Sequence, residues 1–219
     1  QGVSSAASDV YKRQILLEGG SEGRAQAGFS SAGALNADGT LQYSVAAIGR
    51  RADSRYSGVK EGRVGVAPSI TWQPNGDTTF TLSAYYQKDP DGGYFNSLYP
   101  KFLAPSQYKD DLGRKLNIGD PDFDAFKREQ HGIGYQLEHR ASSTLTLRSR
   151  LRYSDVDVDF RSLQMAAPMT ADGIIARQAL RSIEHVQGVS MDNQAQFDFA
   201  TGAVQHTLLT GLDYQYTRS

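Results

Sequence analysis

Three aspartates at alternate positions, Asp155, Asp157 and Asp159, are the first residues in this chain whose spacing suggests metal chemistry. Carboxylate oxygens bind calcium and iron, and alternate residues of a strand point to the same side. One strand supplies only one flank of ligands, however, and no glycine-bearing loop with a distal glutamate follows at the spacing of an EF-hand. We therefore interpret the row as a solvated rim at the end of a strand.

The four histidines lie in four separate parts of the chain, and no two have the spacing that binds a metal from one helix. They are His131, His139, His185 and His206. Each is expected to lie on a strand without a metal-binding role.

The chain has no cysteine, which excludes a disulfide or a thiolate metal site. Because no nucleophile elbow, phosphate-binding loop or ordered catalytic triad appears either, we expect no enzyme activity, no resident metal and no cofactor.

The segment that leads into the aspartates has two chemically different faces. Between residues 144 and 153, apolar side chains alternate with polar ones: Leu145, Leu147, Leu151 and Tyr153 against Thr146, Arg148, Arg150 and Arg152. Only a strand, with its period of two, sorts side chains in this way. The segment therefore predicts a strand with one apolar and one polar face.

Four further segments, at residues 77–87, 130–139, 189–199 and 207–216, repeat the alternation, with Asn193 as the one clear exception. Each segment is about 9–11 residues long, which is what a tilted strand needs to cross a bilayer. Twelve tyrosines and nine phenylalanines against one tryptophan supply side chains for aromatic belts at the membrane interfaces.

Composition excludes some classes of protein. A mean hydropathy of -0.49, without any apolar run of 18 residues, excludes helical membrane spans but not a barrel, whose inward residues are polar. The net charge is -1 and no basic stripe is present, which argues against nucleic acid as a partner.

Nine strands can be placed, at residues 15–19, 23–33, 41–51, 62–72, 78–88, 128–139, 144–155, 185–200 and 205–217. Short connections at 36–39, 73–76, 141–143 and 201–203 alternate with longer ones at 53–61, 89–127 and 156–184. Short periplasmic turns and long extracellular loops are typical of outer-membrane barrels, whereas both ends of a soluble sandwich meet water. The sequence therefore predicts an all-β, antiparallel transmembrane barrel, with Tyr153 at the outer interface and Tyr43 and Trp72 near the periplasmic rim.

The first fourteen residues, Gln1 to Gln14, do not join the pattern. They resemble a translated sequencing-adapter tail and are set aside from fold reasoning, the alternative being a native disordered N-terminus. No signal peptide opens the chain, although an outer-membrane protein needs one. Either the start is missing or the membrane interpretation is wrong.

A family resemblance lies in the stretch RVGVAPSITWQPNGDTTFTLSAYYQKDP, Arg63 to Pro90. It resembles the fourth and fifth barrel strands of TonB-dependent ferric-siderophore receptors, particularly the ferrichrome and hydroxamate group. GYQLEH, from Gly134 to His139, resembles the sixth strand of that family, and HTLLTGLDYQ, from His206 to Gln215, resembles the ninth. The three motifs occur in the expected order, and the resemblance covers about Ile15 to Ser219.

Such receptors are 22-stranded barrels plugged by a globular N-terminal domain. The resemblance implies that residues 15–219 are an internal fragment with about nine of those strands, without the plug, the TonB box or the last strand. Alone, it would leave two unpaired edges and is expected to aggregate or stay unfolded. Arg148, Arg150 and Arg152 are expected to face the lumen and to pair with acids on neighbouring strands or on the plug.

The resemblance also implies a function. The parent receptor is expected in the outer membrane of a Gram-negative bacterium, in contact with lipid and lipopolysaccharide. It is expected to import a ferric siderophore, a hydroxamate by resemblance, with energy that TonB supplies through the plug.

The long connection after Pro90 is the expected ligand site. Its start, GGYFNSLYP, resembles a family stretch whose aromatic side chains line the hydroxamate pocket. The candidate ligand contacts are Tyr94, Phe95, Asn96 and Tyr99. Flat aromatic faces suit the apolar shell around the iron, and Asn96 or Tyr99 would orient it by hydrogen bonds. Ser97 stands where the family often has tryptophan, which leaves the exact siderophore open, and the alternative is that these aromatics pack the loop against the rim.

Two other functions are compatible with the strand pattern alone. A passive porin-like channel would have no plug domain in its gene. A secreted β-rich adhesion or binding module would be soluble and monodisperse without the first fourteen residues.

Overall fold

The computed structural model describes residues 12–54, 56, 58–93 and 117–219, and these residues form nine antiparallel strands in one sheet. The strands are β1 Lys12–Gly19, β2 Ala25–Ala34, β3 Leu41–Asp53, β4 Lys60–Asn75, β5 Thr78–Gly92, β6 Ala125–Arg140, β7 Leu145–Met165, β8 Arg177–Thr201 and β9 Val204–Arg218. Each strand pairs with its neighbours in the sequence, so the order in the sheet is β1 to β9 without a crossover. In this described part, no helix is long and apolar enough to cross a membrane.

All nine predicted strands are confirmed, but several of their ends were placed wrongly. Strand β1 begins at Lys12 rather than Ile15, so the last three residues of the segment set aside as a tail pair with β2. The origin of that segment stays a prediction.

The connection predicted at residues 156–184 is instead mostly strand. Strand β7 continues to Met165 and β8 begins at Arg177, so the connection between them covers only residues 166–176. The predicted connection begins at residue 156, yet Val156, Val158 and Phe160 continue to alternate with aspartates along β7. A strand that extends beyond the bilayer needs no apolar face there, and its backbone groups are satisfied by the partner strand.

The hairpins at one end of the sheet are tight. Leu35 and Leu41 close the first of them through a hydrogen bond from Leu35 N to Leu41 O of 2.7 Å. Gly39, with φ of 72°, and Gly202, with φ of 61°, adopt the left-handed conformation that these turns require. At the same end, β4–β5 and β6–β7 turn through residues 76–77 and 141–144.

Successive hairpins are displaced along the strand direction. When the residue aligned with Leu41, at the first hairpin, is followed from strand to strand, it is Asn193 on β8. Strand β8 continues for eight more residues beyond Asn193, to Thr201 at the last hairpin. With about 3.3 Å per residue and about 4.8 Å for each of the five strand-to-strand steps from β3 to β8, the strands are inclined by about 48° to the perpendicular of the line of turns. This is close to the tilt of strands in membrane barrels.

The two faces of the sheet differ in polarity as predicted. Large apolar side chains lie exposed on one face, among them Ile133 at 50%, Leu147 at 40% and Leu212 at 66%. The opposite face carries serine, glutamine, threonine and paired charges. Only Val59 and Ile118 are buried apolar side chains among the described residues, so the sheet is a single layer without the interior of a sandwich.

The exception in the apolar pattern, Asn193, finds partners on its own face. Ser149 Oγ donates to Asn193 Oδ1 at 2.7 Å, and Tyr135 OH lies 3.2 Å from Ser149 Oγ. The polar atoms form a chain across β6, β7 and β8. These hydrogen bonds lower the free-energy cost of placing the Asn193 side-chain amide on an apolar face.

A charge on the apolar face of β9 should destabilise the protein when the sheet is embedded in lipid. We expect Leu212→Arg to cost about 2–4 kcal/mol, because Leu212 lies midway along the apolar row. Gln215→Arg, on the polar face of the same strand, is the matched control and should cost little. Unfolding by denaturant of the membrane-inserted barrel that contains this chain measures both; equal costs would contradict the assignment of the two faces.

Candidate functional site

The four predicted ligand contacts, Tyr94, Phe95, Asn96 and Tyr99, lie outside the described residues. The structure describes the chain up to Gly93 and again from Asn117. Both points lie at the end of the sheet opposite the tight hairpins. The described part of the site consists of the two roots of this segment, which are the ends at Gly93 and Asn117 where it joins the sheet, and of the sheet beneath them.

The first root is fixed where β5 ends. Gly93 N donates to Lys60 O at 3.0 Å, and its φ of 71° turns the chain away from the strand. The ring of Phe126 lies directly over Gly92, where any Cβ would collide with it. Phe126 in turn packs edge-to-face against Phe160, with the ring centroids 5.9 Å apart. These aromatic side chains belong to the polar face, so the root is held from that side.

The second root is fixed by the extension of β7 and β8. Arg177 Nη1 donates to Ile118 O at 3.1 Å and to Gly119 O at 3.0 Å. Leu163 N donates to Asp124 Oδ1 at 2.7 Å. Ile118 itself is buried. The long β7–β8 hairpin thus acts as a support for the chain that returns to β6.

A carboxylate held by two arginines lies in the sheet below these roots. Asp89 on β5 accepts from Arg63 on β4, with Nε at 2.7 Å and Nη2 at 3.1 Å, and from Arg128 Nη2 on β6 at 2.7 Å. Gln87 Nε2 also donates to both of its oxygens, at 3.2 and 3.1 Å. The Asp89 side chain is 6% exposed, whereas those of Arg63 and Arg128 are 32% and 34% exposed.

This charge cluster, Arg63, Asp89 and Arg128, joins three strands on the polar face. Hydrogen bonds between charged groups are stronger than neutral ones, and the paired guanidinium of Arg63 fixes the position of the carboxylate. The cluster carries one net positive charge toward the polar face. Chemically it can brace the strands that support the loop, and its exposed N–H groups can contact an anion.

The arginine row of β7 lies on the polar face, as predicted. Arg148 Nε donates to Glu138 at 2.8 Å, and Arg150 Nη1 lies 3.8 Å from Asp192, so two of the three pair with acids on neighbouring strands. The Arg152 guanidinium lies 5.2 Å from the centre of the Tyr85 ring, and the pairing of this arginine with the plug stays a prediction. No described carboxylate pairs with Arg152.

Gly132 makes room for the contact between the Tyr85 ring and Arg152. Gly132 on β6 is opposite Tyr85 in the register, and a Cβ at Gly132 would collide with the Tyr85 ring. The ring therefore lies flat on the strand, and Arg152 covers it as a cation on an aromatic face.

The acidic row is only partly a solvated rim, and two of the histidines, each on a strand as expected, lie beside it. Asp155 is buried, and it accepts from Tyr153 OH at 3.0 Å and from Gln187 Nε2 at 2.9 Å. His185 Nδ1 on β8 lies 2.8 Å from Asp157 Oδ1 and 3.7 Å from Asp155 Oδ1. His131 on β6 pairs with Asp155 in the register. Strand pairing, which no local spacing reveals, brings these side chains together.

Several of these residues could not be found from sequence spacing. Asp89 and Arg63 are 26 positions apart, and Asp89 and Arg128 are 39 apart. Their contact depends on the register of β4, β5 and β6. The sequence gives one indirect signal of this contact: Asp89 follows the end of a predicted strand, and Arg63 and Arg128 lie at the ends of the strands on either side.

Comparison with known proteins places these features in a family. A family model described as "TonB dependent receptor-like, beta-barrel" matches residues 71–219. The chain is 30% identical to the "Ferrichrome outer membrane transporter/phage receptor" of Escherichia coli K12, over 94% of this chain and 30% of that protein. It is 28% identical to the "Ferrioxamine B receptor" of Salmonella typhimurium, over 92% of this chain and 29% of that protein. The chain thus spans about a third of the length of these relatives.

Solved structures show the same fold. The siderophore receptor PiuA of Acinetobacter baumannii superposes with a TM-score of 0.78 at 21% identity, over 96% of this chain and 31% of that one. A Pseudomonas aeruginosa FpvA structure with bound pyoverdine and iron superposes with a TM-score of 0.83 at 17% identity, over 94% and 28% of the two chains. The predicted barrel strands are therefore confirmed as part of such a barrel.

Removing the central carboxylate of the charge cluster should loosen the support of the loop. We expect Asp89→Asn to destabilise the folded barrel by about 1–3 kcal/mol, because two arginines then face each other without the negative charge they share and one acceptor oxygen becomes an amino group. Asp77→Asn is the matched control, since its contact with Arg140 is 3.8 Å long and both side chains are mostly exposed. Denaturant midpoints compare the two variants, and equal midpoints would show that the cluster braces nothing.

Proposed function

The chain belongs to the TonB-dependent receptor family, and from this premise we propose that it forms part of an outer-membrane receptor that binds and imports ferric siderophores. The observation that carries the proposal is the division of one tilted sheet into an apolar and a polar face, with tight hairpins at one end and braced loop roots at the other. The comparisons support it, because the relatives are named as siderophore transporters or receptors. Since those relatives are transporters and receptors, we assign no enzyme activity to the chain.

We propose that residues 15–219 supply about nine strands of a larger closed barrel. The share of the relatives' length that the chain covers, about a third, supports this assignment. A plug domain from elsewhere in the receptor would fill the lumen, and TonB would transmit energy through it. We retain the interpretation of residues 1–14 as extraneous in origin, although residues 12–14 extend β1 along β2.

The polar face is assigned to the lumen and the apolar face to the outer-membrane lipid. Hydrocarbon accepts exposed leucine and isoleucine but not the paired charges of the opposite face. Lipopolysaccharide and phospholipid are therefore the expected surroundings of the apolar face. A Gram-negative outer membrane is the location that this arrangement fits.

We assign ligand contact to Tyr94, Phe95, Asn96 and Tyr99. The support is indirect: the first root of their segment, at Gly92, is held by Phe126, a side chain of the polar face. Aromatic faces there suit a bulky chelate whose iron is enclosed by an organic shell. A hydroxamate chelate is the class that the sequence resemblance favours.

Loss of the two aromatic side chains should weaken ligand binding. In the full-length receptor that contains this chain, we expect Tyr94→Ala with Phe95→Ala to weaken ferric hydroxamate siderophore binding by roughly tenfold or more, because each stacked aromatic contributes about 0.5–1.5 kcal/mol. Tyr108→Ala, in the same segment, is the control and should bind normally. Titration of intrinsic fluorescence measures the affinities, and unchanged binding in the double variant would refute the assignment.

Import through this receptor should require energy. We expect uptake of iron-55 as a ferric siderophore to stop when the TonB protein is deleted or the proton gradient is collapsed, while binding at the cell surface persists. Uptake that continues without TonB would identify a passive channel instead.

A further inference from the structure

We propose that Asp155, Asp157 and His185 form a binding site for one divalent transition-metal ion of the zinc type, on the apolar-face side of the sheet beyond its aromatic boundary. One oxygen from each carboxylate and one imidazole nitrogen lie within 4.8 Å of one another. Two oxygen ligands and a nitrogen ligand suit zinc better than calcium, which prefers oxygen alone. The proposal does not depend on the imported ligand.

The distances between the donor atoms fit a small tetrahedral ion. Zinc lies about 2.0–2.2 Å from nitrogen and oxygen ligands, so tetrahedral ligand atoms lie about 3.3 Å apart. His185 Nδ1 is 2.8 Å from Asp157 Oδ1 and 3.7 Å from Asp155 Oδ1. These two separations bracket the tetrahedral value, so rotations of exposed side chains suffice to admit the ion.

Asp155 is already oriented for the task. Its side chain is 9% exposed, and its Oδ2 accepts from Tyr153 OH and from Gln187 Nε2. Among the described residues, no donor forms a hydrogen bond with its Oδ1, which faces His185. Hydrogen bonds to the second oxygen of a ligating carboxylate are what fix such ligands in metal sites. A largely buried carboxylate therefore directs one free oxygen at the proposed ion.

The local charge also favours a divalent cation. In the described part of the chain, His185 is the only basic side chain that pairs with Asp155 or Asp157. Asp159 is excluded from the site because Arg161 pairs with it at 3.4 Å, and Glu129 nearby pairs with Lys88 at 2.9 Å. With neutral His185, the two remaining carboxylates carry two negative charges, which one divalent ion balances.

His131 is the residue in place to complete the coordination. It pairs with Asp155 in the register between β6 and β7, and its side chain lies on the same face as those of Asp155 and His185. Three strands would then be joined by one ion. The site lies on the face opposite the arginine row and the Asp89 charge cluster, so it cannot hold an imported chelate.

Zinc titration of the full-length receptor that contains this chain tests the proposal. The protein, purified in detergent without a polyhistidine tag and stripped with a chelator, is titrated with Zn²⁺ against a chromophoric competitor. Wild type should bind one ion, and His185→Ala or Asp157→Asn should weaken binding by about tenfold or more. Gln187→Leu should weaken it by about tenfold, because Asp155 loses its orientation. Co²⁺ in place of zinc should give the intense visible bands of a tetrahedral site, and His131→Ala should change them.

His206→Ala is the matched control, since that ring stacks on Phe199 at the hairpin end of the sheet, with centroids 5.0 Å apart. It should bind zinc as wild type does. Equal zinc affinity in wild type and His185→Ala, with both proteins shown to be folded, would overturn the proposal. Siderophore binding, measured in parallel, should be unchanged in His185→Ala, so failure of the metal site and failure of the proposed function are distinguishable.

Discussion

Backbone hydrogen bonding between neighbouring strands is the interaction on which everything else in this structure depends. A single-layer sheet has almost no apolar interior, and only Val59 and Ile118 are buried apolar residues in the described part. The strands are therefore held together by their ladders and by side chains that contact across them. The Asp89 charge cluster, the Tyr135–Ser149–Asn193 chain and the group around Asp155 are three examples. The first two each connect three strands, and the third connects β7 with β8.

The same dependence explains what the sequence could and could not predict. Alternation of apolar and polar side chains is a local property, so all nine strands and both faces were predictable from it. Register is not local. His185 and Asp157 are 28 residues apart, and their contact is decided by how β7 and β8 align. For this reason the acidic row was identified from the sequence while its histidine partner was not.

The extended β7–β8 hairpin shows a second limit of sequence patterns. The prediction ends β7 at Asp155 and, because acids cannot face hydrocarbon, places the outer membrane interface at Tyr153, which lies at the edge of the apolar row. The error was to end the strand where the bilayer ends. Residues beyond Asp155 keep their backbone partners and support the returning chain at Ile118 and Gly119. Strand length and membrane thickness are separate quantities in this fold.

The stack of Gly132, Tyr85 and Arg152 has a consequence for the space enclosed by a barrel that includes this sheet. Tyrosine and arginine are long side chains, and upright they would narrow any passage along the wall. Here the Tyr85 ring lies against Gly132, which leaves room for it, and the Arg152 guanidinium lies over the ring. Their neighbours in the register on this face include Ser83, Gly134 and Ser190, which are small. The wall at this height therefore carries one positive charge, held against an aromatic ring and flanked by small side chains on the neighbouring strands.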